Sequence, residues 1–262
     1  MKRLLLLLTI FLGGILAGTT PGFTQTSPGS RAAGTPANLT AEQIIRRTQN
    51  NEVHETSFIR GRMTIEDRFG SKVSTFRAWS QGEEDMLLEF TSVEEEGQKV
   101  LRTQGQLYLY YPDAAEIIRI QGSALRDSLL GSDFSYEDMT GGRDLLDTYR
   151  FTLLGTESLD GREAYKIQMD AKNSSVAYPK QIVWIDTRDF VTLQSHRFSL
   201  SGRLLKEMQV LETMEVDGKI FPSRTTMRDT LKTNSSTEFE ILEIELGLTL
   251  PRGIFSLEEL SW

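Results

Sequence analysis

"LLGSDFSYEDM", Leu129 to Met139, interrupts the pattern on both sides of it. The flanking segments alternate apolar and polar residues, the period-two signature of strands with one buried face. This stretch instead groups Leu129, Leu130, Phe134, Tyr136 and Met139 in a glycine- and serine-rich frame, which predicts a helical insertion. Such an insertion between two runs of strands needs an apolar surface to lie on.

The strands before it supply one. "SFIRGRMTIED" places Ile59, Met63 and Ile65 on one face. "SKVSTFRAWS" offers Phe76 with Ala78 or Val73 with Trp79, and "DMLLEF" aligns Met86, Leu88 and Phe90. In "QLYLYYP", Leu107 and Leu109 oppose Tyr108 and Tyr110. After the insertion, seven further strand-like segments run from "YRFTLLGTE" to "TEFEILEIEL". Asp160-Gly161, Ser201-Gly202 and Asp217-Gly218 separate several of them as hairpin turns, because glycine accepts positive φ without steric cost. The pattern predicts about twelve antiparallel strands in meander order, forming one large curved sheet.

A sheet of that size cannot leave its apolar face in water. Two elements can cover it. Thr40 and Gln43 form a capping box, and Leu39 can staple to Ile44, predicting a helix over 41–51 whose few apolar residues are Ile44, Ile45 and Val53. The insertion, about 122–148, offers Leu125, Leu129 and Leu130 along one helical stripe and Leu145 with Leu146 along another. Its glycines Gly122, Gly131, Gly141 and Gly142 provide hinges for a lid. Composition alone favours a simpler outcome, in which lid and sheet make an ordinary filled core.

The N-terminus reads Met1-Lys2-Arg3 followed by an apolar run from Leu4 to Leu16. That is a charged n-region with an h-region too short for a bilayer span of roughly 20 residues, so residues 1–25 are expected to be a signal peptide cleaved between Ala17 and Gln25. Residues 26–38 read as a flexible linker and 39–262 as a single domain. The chain has no cysteine, so the fold stands without disulfides and the mature protein would carry no acyl anchor. Loss of the leader removes Lys2 and Arg3 and no acid, moving the formal charge from −8 to −10. That balance disfavours nucleic acid and tight, permanent binding to anionic lipid; only transient membrane contact is expected.

Four stretches together resemble the family of LolA-like outer-membrane lipoprotein-sorting proteins: "GQKVLRTQGQLYLYYPDAAEIIRI", "LLGSDFSYEDM", "YPKQIVWIDTRDFVTLQSHRFSLSGRLLKEMQV" and the tail from Asp217. The resemblance covers the chain from about Thr56 to its end, and Ser-Asp-Phe-Ser-Tyr-Glu-Asp is its most specific part. It implies a mainly β (α+β) fold: a large antiparallel, unclosed β-barrel (half-barrel) with helices covering the concave face. It also implies a periplasmic carrier that takes the acyl chains of lipoproteins or other lipids into an apolar cavity and passes them toward the outer membrane. The implied loading partner is an inner-membrane transporter, either a lipoprotein-releasing ATP-driven complex or a permease of the resistance-nodulation type. The family's better-known carrier has a functional arginine, but no local motif places it on Arg60 or Arg62, and none is assigned here.

On this basis Met63, Ile65, Met86, Leu88, Phe90, Leu107 and Leu109 are expected to line the cavity, with Leu129, Leu130, Phe134, Tyr136 and Met139 as its lid. For each alone, ordinary core packing is the simpler role. Met63, Met86, Met139, Met169 and Met208 could repack around variable chains. Asp133, Ser135, Glu137 and Asp138 match no calcium loop; Ser132 or Asp133 as a helix N-cap accounts for them more simply, and no metal or cofactor is expected.

An enzyme is the rival class. The sequence holds two histidines, His54 and His196, and lacks a Gly-x-Ser-x-Gly elbow, a His-Glu-x-x-His motif and a P-loop. A third class is a lipid-sensing module that reports to an inner-membrane partner; sequence separates it poorly from a carrier. The sequons at Asn38, Asn173 and Asn234 would matter only in a eukaryotic secretory route.

Overall fold

The computed structural model describes residues 39–140, 145–173 and 176–261. The expected leader and linker and the hinge glycines Gly141 and Gly142 lie outside the described residues. Helix α1 (Ala41–Glu52) begins at the expected capping box: the Gln43 amide donates to Thr40 Oγ1 at 3.2 Å and the Thr40 amide to Gln43 Oε1 at 2.9 Å.

Thirteen strands then form one antiparallel sheet. Six of them, β1 (Thr56–Asp67), β2 (Gly70–Gln81), β3 (Asp85–Phe90), β4 (Lys99–Thr103), β5 (Gln106–Tyr111) and β6 (Glu116–Ile120), step outward to one edge. The other seven start at the opposite edge and step back: β7 (Tyr149–Leu159), β8 (Arg162–Ala171), β9 (Lys180–Asp186), β10 (Thr192–Phe198), β11 (Leu204–Val216), β12 (Lys219–Asp229) and β13 (Ser236–Leu246). In the middle, β13 pairs with β1. The order therefore departs from the expected single meander of about twelve strands, being two meanders joined at β1–β13. Both open edges, β6 and β7, are ends of the sheet, so the barrel does not close.

This order decides where the insertion goes. Residues 121–148 join one edge strand to the other, and within them 125–139 lie on the sheet, packed on β1–β5 and fastened to β11–β13. Strand pairing puts the turns at 68–69, 112–115, 199–203 and 230–235 and the loop at 91–98 at one end, here termed the upper end. The connection leaves β6 at the lower end and enters β7 at the upper end.

Two of the expected turns have paired left-handed residues, Asp160 (φ 49°) with Gly161 (φ 82°) and Asp217 (φ 52°) with Gly218 (φ 75°), the hairpin geometry that matches strand twist. In Ser201-Gly202 only the glycine (φ 80°) is left-handed. Three covers bury the sheet. Part of the insertion lies on β1–β5. Helix α1, joined by Leu145 and Leu146 of α3 (Leu145–Thr148), covers Tyr165, Ile167, Met169, Val183 and Ile185 of β8 and β9. On the opposite face, Ile254, Phe255 and Leu260 of the C-terminal segment pack on Leu87, Leu101, Tyr108 and Tyr110, a cover the sequence reading missed.

Candidate functional site

The seven sheet residues and five lid residues singled out in the sequence come together in one apolar cluster. Met63, Ile65, Leu88, Phe90, Leu107, Leu109, Leu129 and Tyr136 are buried in it, and Met86, Leu130, Phe134 and Met139 pack against it half buried. Gly61 is the pivot of its floor. A Cβ there would lie 2.5 Å from Phe76 Cζ and 2.6 Å from the Glu240 carbonyl, so only glycine lets the Phe76 ring lie across β1. That ring stacks on Phe239 at 5.0 Å, and Phe239 meets Phe134 of the lid at 6.0 Å. The insertion therefore packs directly on the sheet, side chain against side chain. Of the five methionines with a proposed adaptive role, Met63, Met86 and Met139 are here, Met169 lies in the α1 cluster, and Met208 in neither.

The lid is less helical than expected. Leu125 and Leu129–Leu130 occupy two separate 3₁₀ turns (Gly122–Arg126 and Leu129–Gly131), and a true α-turn, α2, spans only Tyr136–Thr140. Leu130 sits at φ 50°, ψ 27°, unfavourable for a branched side chain, and breaks the continuous stripe. The helix cap is likewise neither Ser132 nor Asp133 but Ser135, which exchanges hydrogen bonds with Asp138: the Ser135 amide donates to Asp138 Oδ2 at 2.8 Å and the Asp138 amide to Ser135 Oγ at 3.3 Å. Asp133 is not free to cap because the sheet takes it.

Asp133 and Asp138 make a buried polar latch. The Asp133 carboxylate accepts from the Asp229 amide (3.0 Å), Ser235 Oγ (2.8 Å) and Thr237 Oγ1 (2.8 Å). Its backbone carbonyl accepts from Lys206 Nζ at 2.8 Å. Asp138 accepts from Lys206 Nζ at 2.6 Å, from Tyr178 Oη at 2.8 Å and from Arg197. Burial alone would raise the Asp138 carboxyl, but the Arg197 and Lys206 charges, with hydrogen bonds from Lys206 and the Ser135 amide, hold it below the usual carboxylate value. Burial and the neighbouring Asp138 charge push the Tyr178 phenol well above its ordinary range. A third cation, Lys232, donates to the Gly131 carbonyl at 2.8 Å and to that of Ser132. Asp133 and Asp138 are thus held by donors from the sheet and from Tyr178, and both serve to fasten the insertion.

The latch partners Arg197, Lys206, Tyr178, Lys232 and Thr237 were missed because each is a single polar residue in an alternating strand or loop, with no local motif. Arg60 and Arg62 are elsewhere, on the exposed face, paired with Glu243 and Glu240 at 2.6 Å each. His54 rests on Phe221 (5.1 Å) and His196 meets Trp184 edge-on (4.8 Å); burial lowers the pKa of both. A cleft of about 900 Å³ lies between α1, the β2–β3 turn and the start of β7, lined mainly by charged and amide residues such as Glu42, Arg46, Glu83 and Lys172.

An unclosed antiparallel barrel, bridged edge to edge by a lid that packs on its apolar face, defines a LolA-like fold. Three solved structures share it: a DUF1329 family protein from Desulfovibrio piger (TM-score 0.77, 21% identity, 83% of this chain and 96% of that one), an outer membrane lipoprotein-sorting protein domain from Vibrio parahaemolyticus (0.75, 21%, 85% and 100%) and a LolA superfamily protein from Nitrosomonas europaea (0.70, 22%, 84% and 99%). The resemblance seen in the sequence thus holds at the level of the fold. The chain belongs to the family whose model, described as "Uncharacterized protein", matches residues 82–262. No curated protein matches it.

Proposed function

We propose that this protein is a non-enzymatic periplasmic carrier whose lid-covered apolar surface takes up the acyl chains of lipoproteins or other lipids. One observation carries the reading: the insertion meets β1–β5 through apolar side chains, while its polar fastening goes to β10–β13 on the other half of the sheet. A permanent core needs no such division. A lid that slides off Met63, Met86, Leu88, Phe90, Leu107 and Leu109 would expose them to a guest, and Met139, Leu129, Leu130, Phe134 and Tyr136 would close over it.

The magnitudes fit. One long acyl chain in water costs on the order of 10 kcal/mol at ~0.8 kcal/mol per methylene, which a dozen side chains of this kind can offset. Methionine suits a guest of variable length because its three rotatable bonds let it repack. Loading from an inner-membrane transporter and delivery toward the outer membrane, after export by the 1–25 leader, complete the proposal; the likeness in fold to the Vibrio outer membrane lipoprotein-sorting domain and to the LolA superfamily protein supports it. Among the described residues no helix is long and apolar enough to cross a membrane.

The test is uptake of a fluorescent palmitoylated peptide. Leu129→Glu and Phe134→Glu are expected to abolish uptake while circular dichroism remains that of a folded sheet. Undiminished uptake in either folded variant would remove the lid from the mechanism.

A further inference from the structure

We infer that the upper end of the sheet is a docking surface for an anionic lipid bilayer. Among the described residues, five large apolar side chains are more than half exposed: Val93 (92%), Phe69 (82%), Leu200 (81%), Leu231 (54%) and Val73 (51%). All five lie at the upper end. Phe69 forms the β1–β2 turn, with Val73 just beyond it opposite Thr64. Val93 tips the β3–β4 loop, which is tied to β2 by the Thr91 amide on the Thr75 carbonyl at 2.8 Å. Leu200 and Leu231 tip the β10–β11 and β12–β13 connections, held side by side by the Lys206–Asp229 pairing. The other exposed large apolar residues, in strands such as Leu154 and Leu242 or in the C-terminal helical turn as Leu257, stay below half exposure.

The arrangement fits a fluid interface better than a folded partner. The tips are separate projections from successive turns and form no groove that a helix or strand could fill. Their charges agree: Arg68 stacks on the Phe69 ring at 4.5 Å, Arg203 closes the Leu200 turn, and Lys232 follows Leu231. Glu94 and Glu95, next to Val93, share the single cation of Lys72, so with Glu96 that tip stays acidic, and Asp67 accepts the Phe69 amide beside Arg68; the cations stand at the Phe69, Leu200 and Leu231 tips. Three apolar tips with a cation beside each are what the headgroup region of an anionic membrane accepts, and the acidic Val93 tip can enter it through its side chain alone. The chain as a whole carries −8, so attachment is oriented, weak and salt-sensitive, as a protein that must leave again requires. Lys232 also holds the lid through the Gly131 carbonyl, so docking places the lid against the bilayer; this last point alone rests on the carrier reading.

Cosedimentation with phosphatidylglycerol–phosphatidylethanolamine vesicles tests the surface. The combined variant Phe69→Ser, Val93→Ser, Leu200→Ser, Leu231→Ser is expected to bind at least about tenfold more weakly, since each large apolar side chain contributes that order of affinity when buried. The control Leu153→Ser, Leu154→Ser, Leu242→Ser is expected to bind like wild type, and high salt to weaken both. Failure of the wild type to sediment with vesicles, or equal binding by the combined variant, would overturn the proposal. Uptake of the palmitoylated peptide in solution separates the two readings. Uptake unchanged in the combined variant supports a distinct docking surface, and joint loss of uptake and docking would overturn it. Docking without uptake in the wild type would end the carrier reading and leave the surface standing.

Discussion

Asp138 shows how one side chain can set the state of a whole segment. Its carboxylate is 1% exposed and answers two cations, so removing its charge leaves Lys206 and Arg197 buried without a counter-ion. Breaking such a group from one side costs about 3–5 kcal/mol, and Asp138→Asn is expected to lower stability by that order at neutral pH, read from urea unfolding. The pH dependence has a definite sign. Because the folded carboxyl titrates below its unfolded value, its contribution is complete above pH ~4 and is lost as pH falls through the lower folded value. The gap between wild type and Asp138→Asn should therefore narrow below pH ~4; a constant gap down to strong acid would mean the shift is absent. Gly61 makes a second prediction at this scale. Gly61→Ala drives a methyl into both Phe76 and the Glu240 carbonyl, and should cost about 1–3 kcal/mol in the same assay, as overpacking does.

At the scale of elements, strand faces were legible and lid anchoring was not. Alternation alone assigned Leu107 and Leu109 to the lid side and Tyr108 and Tyr110 to the other, because in a strand the next residue must point the opposite way. The lid's apolar residues were legible for the opposite reason, since they broke that alternation. Its helical stripe was not, as Leu130 takes a left-handed conformation no local pattern announces. Nor were its partners, since Lys206, Arg197 and Tyr178 stand 40 or more residues from Asp138 and are joined to it only by the fold. The consequence is testable by hydrogen exchange. In Lys206→Ala, which removes the donor to both Asp133 and Asp138, amides of 129–139 are expected to exchange at least about a hundredfold faster while those of β1 and β13 keep their protection. Uniform acceleration across the sheet would make the latch a part of the global core instead of a separate fastening.

At the scale of the molecule, the sheet order explains why one long connection lies on the sheet. Starting the chain's strands in the middle leaves both edges to be joined by one connection, and that connection has to pass over a face. Hydrophobic patterning predicted how many strands there would be to within one, but not this order, because alternation carries no record of which strand pairs with which. The central claim is that the face under the lid receives an acyl chain. Hydrogen exchange with and without a palmitoylated peptide tests it most directly. The account predicts altered protection confined to β1–β5 and residues 125–139. Binding that left these segments unchanged and instead protected α1 and the start of β7, around the polar cleft, would contradict it.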